Sequence, residues 1–295
     1  MKKLLVIGAG DVAGRALAGL ARDFHVTVLV RSAAARERFD RAGAATILAD
    51  LDDPASLAGI AADWDAVLHL APPPEAGDRD TRTRNLLAAL EGARMLPRRF
   101  VYISTSGVYG DCGGDWVDED RPVNPGTDRA RRRVDAERTL LDWGERSGVA
   151  VSVLRVPGIY AADRLPLARL ERGTPVLVAE DDVYTNHIHA DDLAAVCAVA
   201  LAVAMAGRVY NVSDDSHLKM GDYFDLVADR NGLARPPRIS RAEAVRVIPP
   251  TLLSFMSESR RLVNRRMKAE LGVRLRYPTV FDGVPDRRFA SVASS

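Results

Sequence analysis

With 295 residues, 47% of them hydrophobic, the chain can bury one large core or two coupled ones. Its formal net charge is +1, so neither nucleic acid nor an anionic membrane is expected as the main partner. The two cysteines, Cys112 and Cys197, are too few and too distant for a disulfide framework or metal site, and the first apolar run directly follows Met-Lys-Lys without room for a signal peptide, so a reduced, cytoplasmic protein is expected.

Leu4 to Ile7 form a continuous apolar run that predicts a buried parallel strand, and Gly8 and Gly10 break it. From Val12 through Arg22 apolar residues recur at helical spacing, so the glycines sit on a strand-to-helix turn. Gly8 makes the tight turn and Gly10 lets the backbone approach a ligand. Asp11 and Val12 open a helix whose free N–H groups and positive dipole suit a pyrophosphate, with Ala13 in place of a third glycine. A second strand, Val26 to Val30, ends in Arg31 and Ser32, with Arg36 nearby, where an acid would otherwise hold a ribose 2'-hydroxyl. Arginine attracts a 2'-phosphate, which predicts NADP(H) in preference to NAD(H); a solvated strand-end arginine is the alternative.

Ala33 to Ala42 reads as a helix, and a third strand near Thr46 to Leu48 leads to Asp50 and Leu51. An acid there can accept from an adenine amino group or cap the next helix, which Asp53-Pro54 opens. The fourth strand, Ala66 to Leu70, runs into Ala71 and Pro72 at the edge where open parallel sheets bind ligands. After a helix from Asp80 to Arg94, the fifth strand, Arg99 to Ile103, delivers Ser104-Thr105-Ser106, whose hydroxyls either face a ligand or satisfy their own turn. Asp111 to Gly126, acidic and rich in Gly and Pro, is expected as a surface loop and possible lid. A helix from Asp128 to Glu145, capped by Thr127 or Asp128, carries Arg129, Arg131, Arg132 and Arg133.

The sixth strand, Val149 to Val156, leaves the sheet through Pro157 to Tyr160, and a short helix spans Leu165 to Arg172. His187, His189, Asp191 and Asp192 lie close together, but no further ligand is suitably spaced, so no metal is expected; Asp191 or Asp192 serves better as a helix cap. Leu193 to Ala206 is alanine-rich and too short to span a membrane, which predicts a buried helix. A last strand, Arg208 to Ser213, precedes helices at Gly221 to Asn231, Arg241 to Val247 and, strongly basic, Ser259 to Leu271.

The predicted fold is α/β: a Rossmann-type doubly wound parallel sheet over residues 1–160 with a returning strand near 208–213, and a smaller, mostly helical substrate-side portion from 161–190 and 214–295. The early glycine turn, Ser104 to Gly110, Pro157 to Tyr160, Ile188 to Asp192, Tyr210-Asn211-Val212, Asn264 to Leu271 and Arg276-Tyr277-Pro278 together resemble the extended short-chain dehydrogenase/reductase superfamily, which includes sugar-nucleotide epimerases and dehydratases. The resemblance places Thr105 at the family's catalytic Ser/Thr. Counted back from Glu137, it places Arg133 at the lysine and Arg129 at the tyrosine of the Tyr-x-x-x-Lys pair. An arginine stays protonated and has no acceptor, so Arg129 is no general acid or base, while Arg133 can still contact a ribose or phosphate. With its short glycine-alanine version of the fingerprint and its arginine-rich helix, the chain resembles the YeeZ-like group among atypical members, which are NAD(P)-dependent oxidoreductases.

This resemblance implies a reductase or dehydrogenase with a substitute proton donor, for which Tyr160, Tyr184 and His187 are candidates. An epimerase-like enzyme with tightly bound nucleotide and a silent NADP(H) sensor are the alternatives. Two guanidinium groups one helical turn apart, Arg129 and Arg133, suit a small anionic substrate. Relatives often pair through helices flanking the sheet, so a homodimer is plausible by resemblance.

Overall fold

The computed structural model describes residues 1–287; positions 288–295 of the expected substrate-side portion lie outside the described residues. The first half of the chain contributes strands β1 (Lys2–Ile7), β2 (Phe24–Val30), β3 (Ala45–Leu48), β4 (Ala66–His69), β5 (Arg99–Thr105) and β6 (Trp116–Val117). Then follow β7 (Ala150–Val156), β8 (Gly158–Tyr160), β9 (Val176–Leu177), β10 (His187–His189), β11 (Arg208–Asn211), β12 (Arg238–Ile239) and β13 (Arg261–Leu262). The helices are α1 (Asp11–Leu20), α2 (Ala33–Arg41), α3 (Thr81–Glu91), α4 (Asp128–Ser147), α5 (Leu167–Glu171) and α6 (Ala190–Val203). Beyond them lie α7 (Met220–Arg230), α8 (Arg241–Val247), α9 (Pro250–Phe255), α10 (Arg265–Leu271) and α11 (Val280–Gly283).

Seven strands form one parallel sheet in the order β11-β7-β5-β4-β1-β2-β3. The order reverses between β1 and β4, and the carboxyl ends of these strands open the crevice in which such sheets bind ligands. Both faces are covered, which explains the unbroken apolar runs. On one face Ala13, Leu17, Phe39, Leu193, Val196 and Met267 bury α1, α2, α6 and α10. On the other, Leu86, Leu90, Leu140 and Trp143 bury α3 and α4. Each fully buried leucine of this kind stabilises the fold by about 1.5–3 kcal/mol. The predicted alanine-rich helix is α6, and among the described residues no helix is long and apolar enough to cross a membrane.

Three local expectations are corrected. The stretch expected as one basic helix from Ser259 to Leu271 starts as β13, paired in parallel with β6, and becomes helical only at Arg265. That pairing also ties part of the expected surface loop to the body of the fold: Asp111 to Gly126 buries Cys112, Val117 and Glu119, and the Glu119 carboxylate accepts from the Asn211 N–H at 2.7 Å. Neither Asp191 nor Asp192 caps α6. His189 does, its Nδ1 accepting from the Asp191 N–H at 3.2 Å, because the Asp192 carboxylate is taken by the backbone N–H groups of Arg276 and Tyr277.

Candidate functional site

The crevice begins at the turn after β1. Gly8 has φ +106°, and a Cβ there would stand 2.7 Å from the Ala71 nitrogen, so the turn closes on the end of β4 only with glycine. Gly10, the N-cap of α1, has no side-chain cap, and a Cβ on it would meet nothing within 4 Å. The first N–H groups of α1, at Asp11 and Val12, therefore carry no side-chain cap while the flank of Gly10 is open, an arrangement that fits a dinucleotide pyrophosphate. The Asp11 side chain is turned to arginines and leaves its backbone N–H to that role: Arg15 Nε donates to its carboxylate at 2.9 Å and Arg164 Nη1 at 2.8 Å. Against the burial that opposes it, these bonds hold the Asp11 carboxyl below its usual range. Arg15 also reaches Asp191 and Asp163, beside a cavity of about 360 Å³ shared with His189 and Tyr277.

At the end of β2, Arg31 is exposed, and the Ser32 hydroxyl caps α2 by accepting from the Ala35 N–H at 3.3 Å. Arg36 lies outward, 3.7 Å from Asp40. A cation that meets the backbone of the glycine turn is Arg38, which sequence reasoning missed: it donates to the Ala9 carbonyl and lies 4.7 Å over the Phe39 ring. Past β3 the cap of the next helical turn is Asp53, not Asp50, whose carboxylate accepts from the Asp52 N–H at 3.0 Å. Leu51 is buried in the core with Ile7 and Leu29. Leu70 and Ala71 are half-buried and Pro72 exposed along the β4 edge.

β5 runs two residues further than expected, so Thr105 is its last residue. The Thr105 side chain is half-buried, and its Oγ1 accepts from the Gly107 N–H at 3.2 Å; the bond to its own turn is therefore made. Facing this end, Arg133 Nη1 donates to the Ile103 carbonyl at 2.7 Å and the Tyr102 hydroxyl at 2.9 Å. Arg129 points elsewhere. Its guanidinium lies 4.1 Å over the Phe255 ring of α9, so the two arginines do not share one partner. Pro157, half-buried, links β7 to β8, whose register with β10 aligns Tyr160 with His189 and Gly158 with His187.

The three proton-donor candidates separate by burial. Tyr160 is buried, its hydroxyl donating to the Thr279 carbonyl at 3.1 Å, and burial pushes its pKa up. His187 is buried and stacked on Tyr223 at 4.0 Å, and burial pushes the imidazole down to about 3, which keeps it neutral. Tyr184 alone of the three is half-exposed. Behind this layer, two features had no signal in local sequence: the buried Arg155–Glu137 pair at 2.8 Å, and Asp214.

Asp214 is buried next to Ser216, Asp215 and Asp192, and its charge also bears on Tyr160 and Tyr223. Burial pushes its pKa up from 3.8 to about 7. The native state then holds a proton that the unfolded chain releases, so this group's contribution to stability is complete below pH 3.8 and falls as pH rises to about 7. Denaturant melts from pH 5 to 8 are expected to show that decline, on the order of a few kcal/mol at most, and Asp214→Asn should flatten it. An unchanged slope in the variant would assign the decline to other groups.

Comparison with known proteins adds three findings. The model of a family described as NAD(P)H-binding matches residues 8–203. The chain is 30% identical to GDP-6-deoxy-D-mannose reductase of Pseudomonas aeruginosa over 67% of its own length and 75% of that protein. Among solved structures it is similar to a conserved protein of unknown function from Silicibacter pomeroyi, at 30% identity and TM-score 0.77 over 96% of both chains. UDP-glucuronic acid 4-epimerase from Bacillus cereus, solved with NAD, shares the fold at 18% identity and TM-score 0.74, over 96% of each chain.

Proposed function

The chain belongs to the NAD(P)H-binding family, with structural neighbours in the NAD-dependent epimerase/dehydratase superfamily, and we propose that it is an oxidoreductase using NADP(H) in preference to NAD(H) on a small anionic substrate. The turn from Gly8 to Val12 carries this reading: a glycine at positive φ, an open flank at Gly10 and a helix start free of side-chain caps. In it, Asp11 and Val12 hold the pyrophosphate through their N–H groups. Arg31, with Ser32 and Arg36 beside it, faces the ribose 2'-phosphate. Asp50 and Leu51 border the adenine, Leu70, Ala71 and Pro72 line the strand edge, and Arg133, Pro157 and Thr105 border the nicotinamide ribose.

When bound, the nicotinamide supplies or accepts the hydride. The protein supplies the proton and the orientation. Tyr184 is assigned the proton, because Tyr160 spends its hydroxyl on Thr279 and His187 is closed off by Tyr223. Thr105 orients the reacting oxygen of the substrate through its half-buried hydroxyl. Arg133 is already committed to Ile103 and Tyr102, so holding an anionic substrate falls to Arg129, whose flat guanidinium is supported by Phe255.

Arg129 at the position that the resemblance gives to tyrosine favours a second reading, in which the nucleotide binds and no turnover follows. The experiment is to mix the protein with NADPH and a panel of carboxylate- and phosphate-bearing aldehydes, ketones and imines, following nicotinamide absorbance. Oxidation above the protein-free rate with any of them supports the oxidoreductase; tight NADPH binding with no oxidation across the panel moves the reading to the sensor.

A further inference from the structure

We propose that Arg261, Trp116 and Tyr184 form an oxyanion subsite that takes a phosphate or carboxylate carried on a flat or apolar body. The inference stands on side-chain geometry and is independent of the nucleotide reading. The parallel register of β13 with β6 sets Arg261 opposite Trp116. The guanidinium carbon lies 4.9 Å from the Trp116 ring centroid and 4.6 Å from that of Tyr184, so the cation is flanked by two aromatic faces. Arg261 Nε donates to the Gly114 carbonyl at 2.7 Å, which fixes the fork; its two terminal nitrogens meet no acceptor among the described residues.

The surroundings favour an anion. Carboxylates on nearby segments are engaged with other cations: Asp115 with Arg121, Glu258 with Arg260 and Asp215 with Lys268. Lys219 Nζ lies 5.9 Å from the Tyr184 centroid, and His217 meets Trp116 edge-on at 4.5 Å. Gly114, at φ +84°, leaves room for the stack: a Cβ there would stand 3.2 Å from the Tyr184 ring. A guanidinium held between rings has little rotamer freedom left to lose and presents two parallel donors to a phosphate or carboxylate. Half-exposed Trp116 gives the apolar body of the ligand a face to cover.

Trp116 also supplies the readout, since Trp64 and Trp143 are buried. The full-length protein is titrated with phenyl phosphate, benzoate and benzyl alcohol at constant ionic strength, reading tryptophan fluorescence with calorimetry in parallel. A saturable change with phenyl phosphate or benzoate and none with benzyl alcohol is expected, and the stronger of the two anions identifies the source chemistry. Arg261→Ala should weaken that affinity by about tenfold or more, and Arg261→Gln, which keeps a polar side chain without the charge or the fork, should weaken it as well. No saturable binding of either anion, or equal affinity in a folded Arg261 variant, overturns the subsite. A stack that only closes the small sheet predicts a lower melting temperature in the variants with no anion affinity to lose. NADPH is titrated separately: NADPH binding without anion binding overturns this inference alone, and the reverse overturns the nucleotide reading alone.

Discussion

Gly8→Ala is expected to abolish NADPH binding and to lower stability by about 2–5 kcal/mol. Two costs add. The backbone at φ +106° is one that alanine adopts only with strain, and the new Cβ would lie 2.7 Å from the Ala71 nitrogen, which belongs to backbone and has no rotamer by which to move aside. Relief requires the end of β1 to separate from the end of β4, where the Leu70 N–H donates to the Ile7 carbonyl at 2.7 Å. Gly10→Ala is the matching control. Its Cβ would meet no atom within 4 Å, and its φ of −84° suits alanine, so it should leave stability within about 0.5 kcal/mol while crowding the approach of a pyrophosphate. Denaturant melts and NADPH titrations of both variants separate folding from binding. Wild-type affinity in Gly10→Ala would remove the pyrophosphate from this turn.

Tyr184→Phe should lower kcat/KM by about 10²–10⁴-fold once a substrate is in hand, with NADPH affinity unchanged. The argument is one of access. A proton donor must reach the reacting oxygen, and of the three candidate rings only that of Tyr184 is half-exposed. Tyr160→Phe removes a hydrogen bond to the Thr279 carbonyl and is expected to cost about 1 kcal/mol of stability, leaving kcat/KM of the remaining folded enzyme near wild type. Full turnover in Tyr184→Phe would reject it as the donor, and loss confined to Tyr160→Phe would transfer the role.

The parts of the site that were legible in the sequence are those encoded within a dozen residues. The apolar run of β1, the glycines and the helical spacing of α1 are neighbours in the chain, and the alternation of strands and helices fixes a parallel sheet by short-range geometry. What was not legible depends on long-range partners. Asp191 and Asp192 have the residue type of a helix cap, yet Arg15, Arg276 and Tyr277 claim their carboxylates from remote segments. The two-residue strands β6 and β13 are too short for any periodic signal and exist through each other. Arg133 and Arg129, alike in sequence, diverge because one meets the end of β5 and the other the aromatic ring of α9. Arg38 escaped notice for the same reason: its partner, the Ala9 carbonyl, is known only once α2 is set against the glycine turn.

The most direct test of the central claim is calorimetric titration of the wild-type protein with NADPH and NADH under identical salt. The account predicts saturable binding of both, with NADPH tighter by about tenfold or more because of the charge that Arg31 adds at the 2'-phosphate. NADH binding as tightly as NADPH would contradict the assignment of Arg31, and binding of neither would contradict the nucleotide site itself.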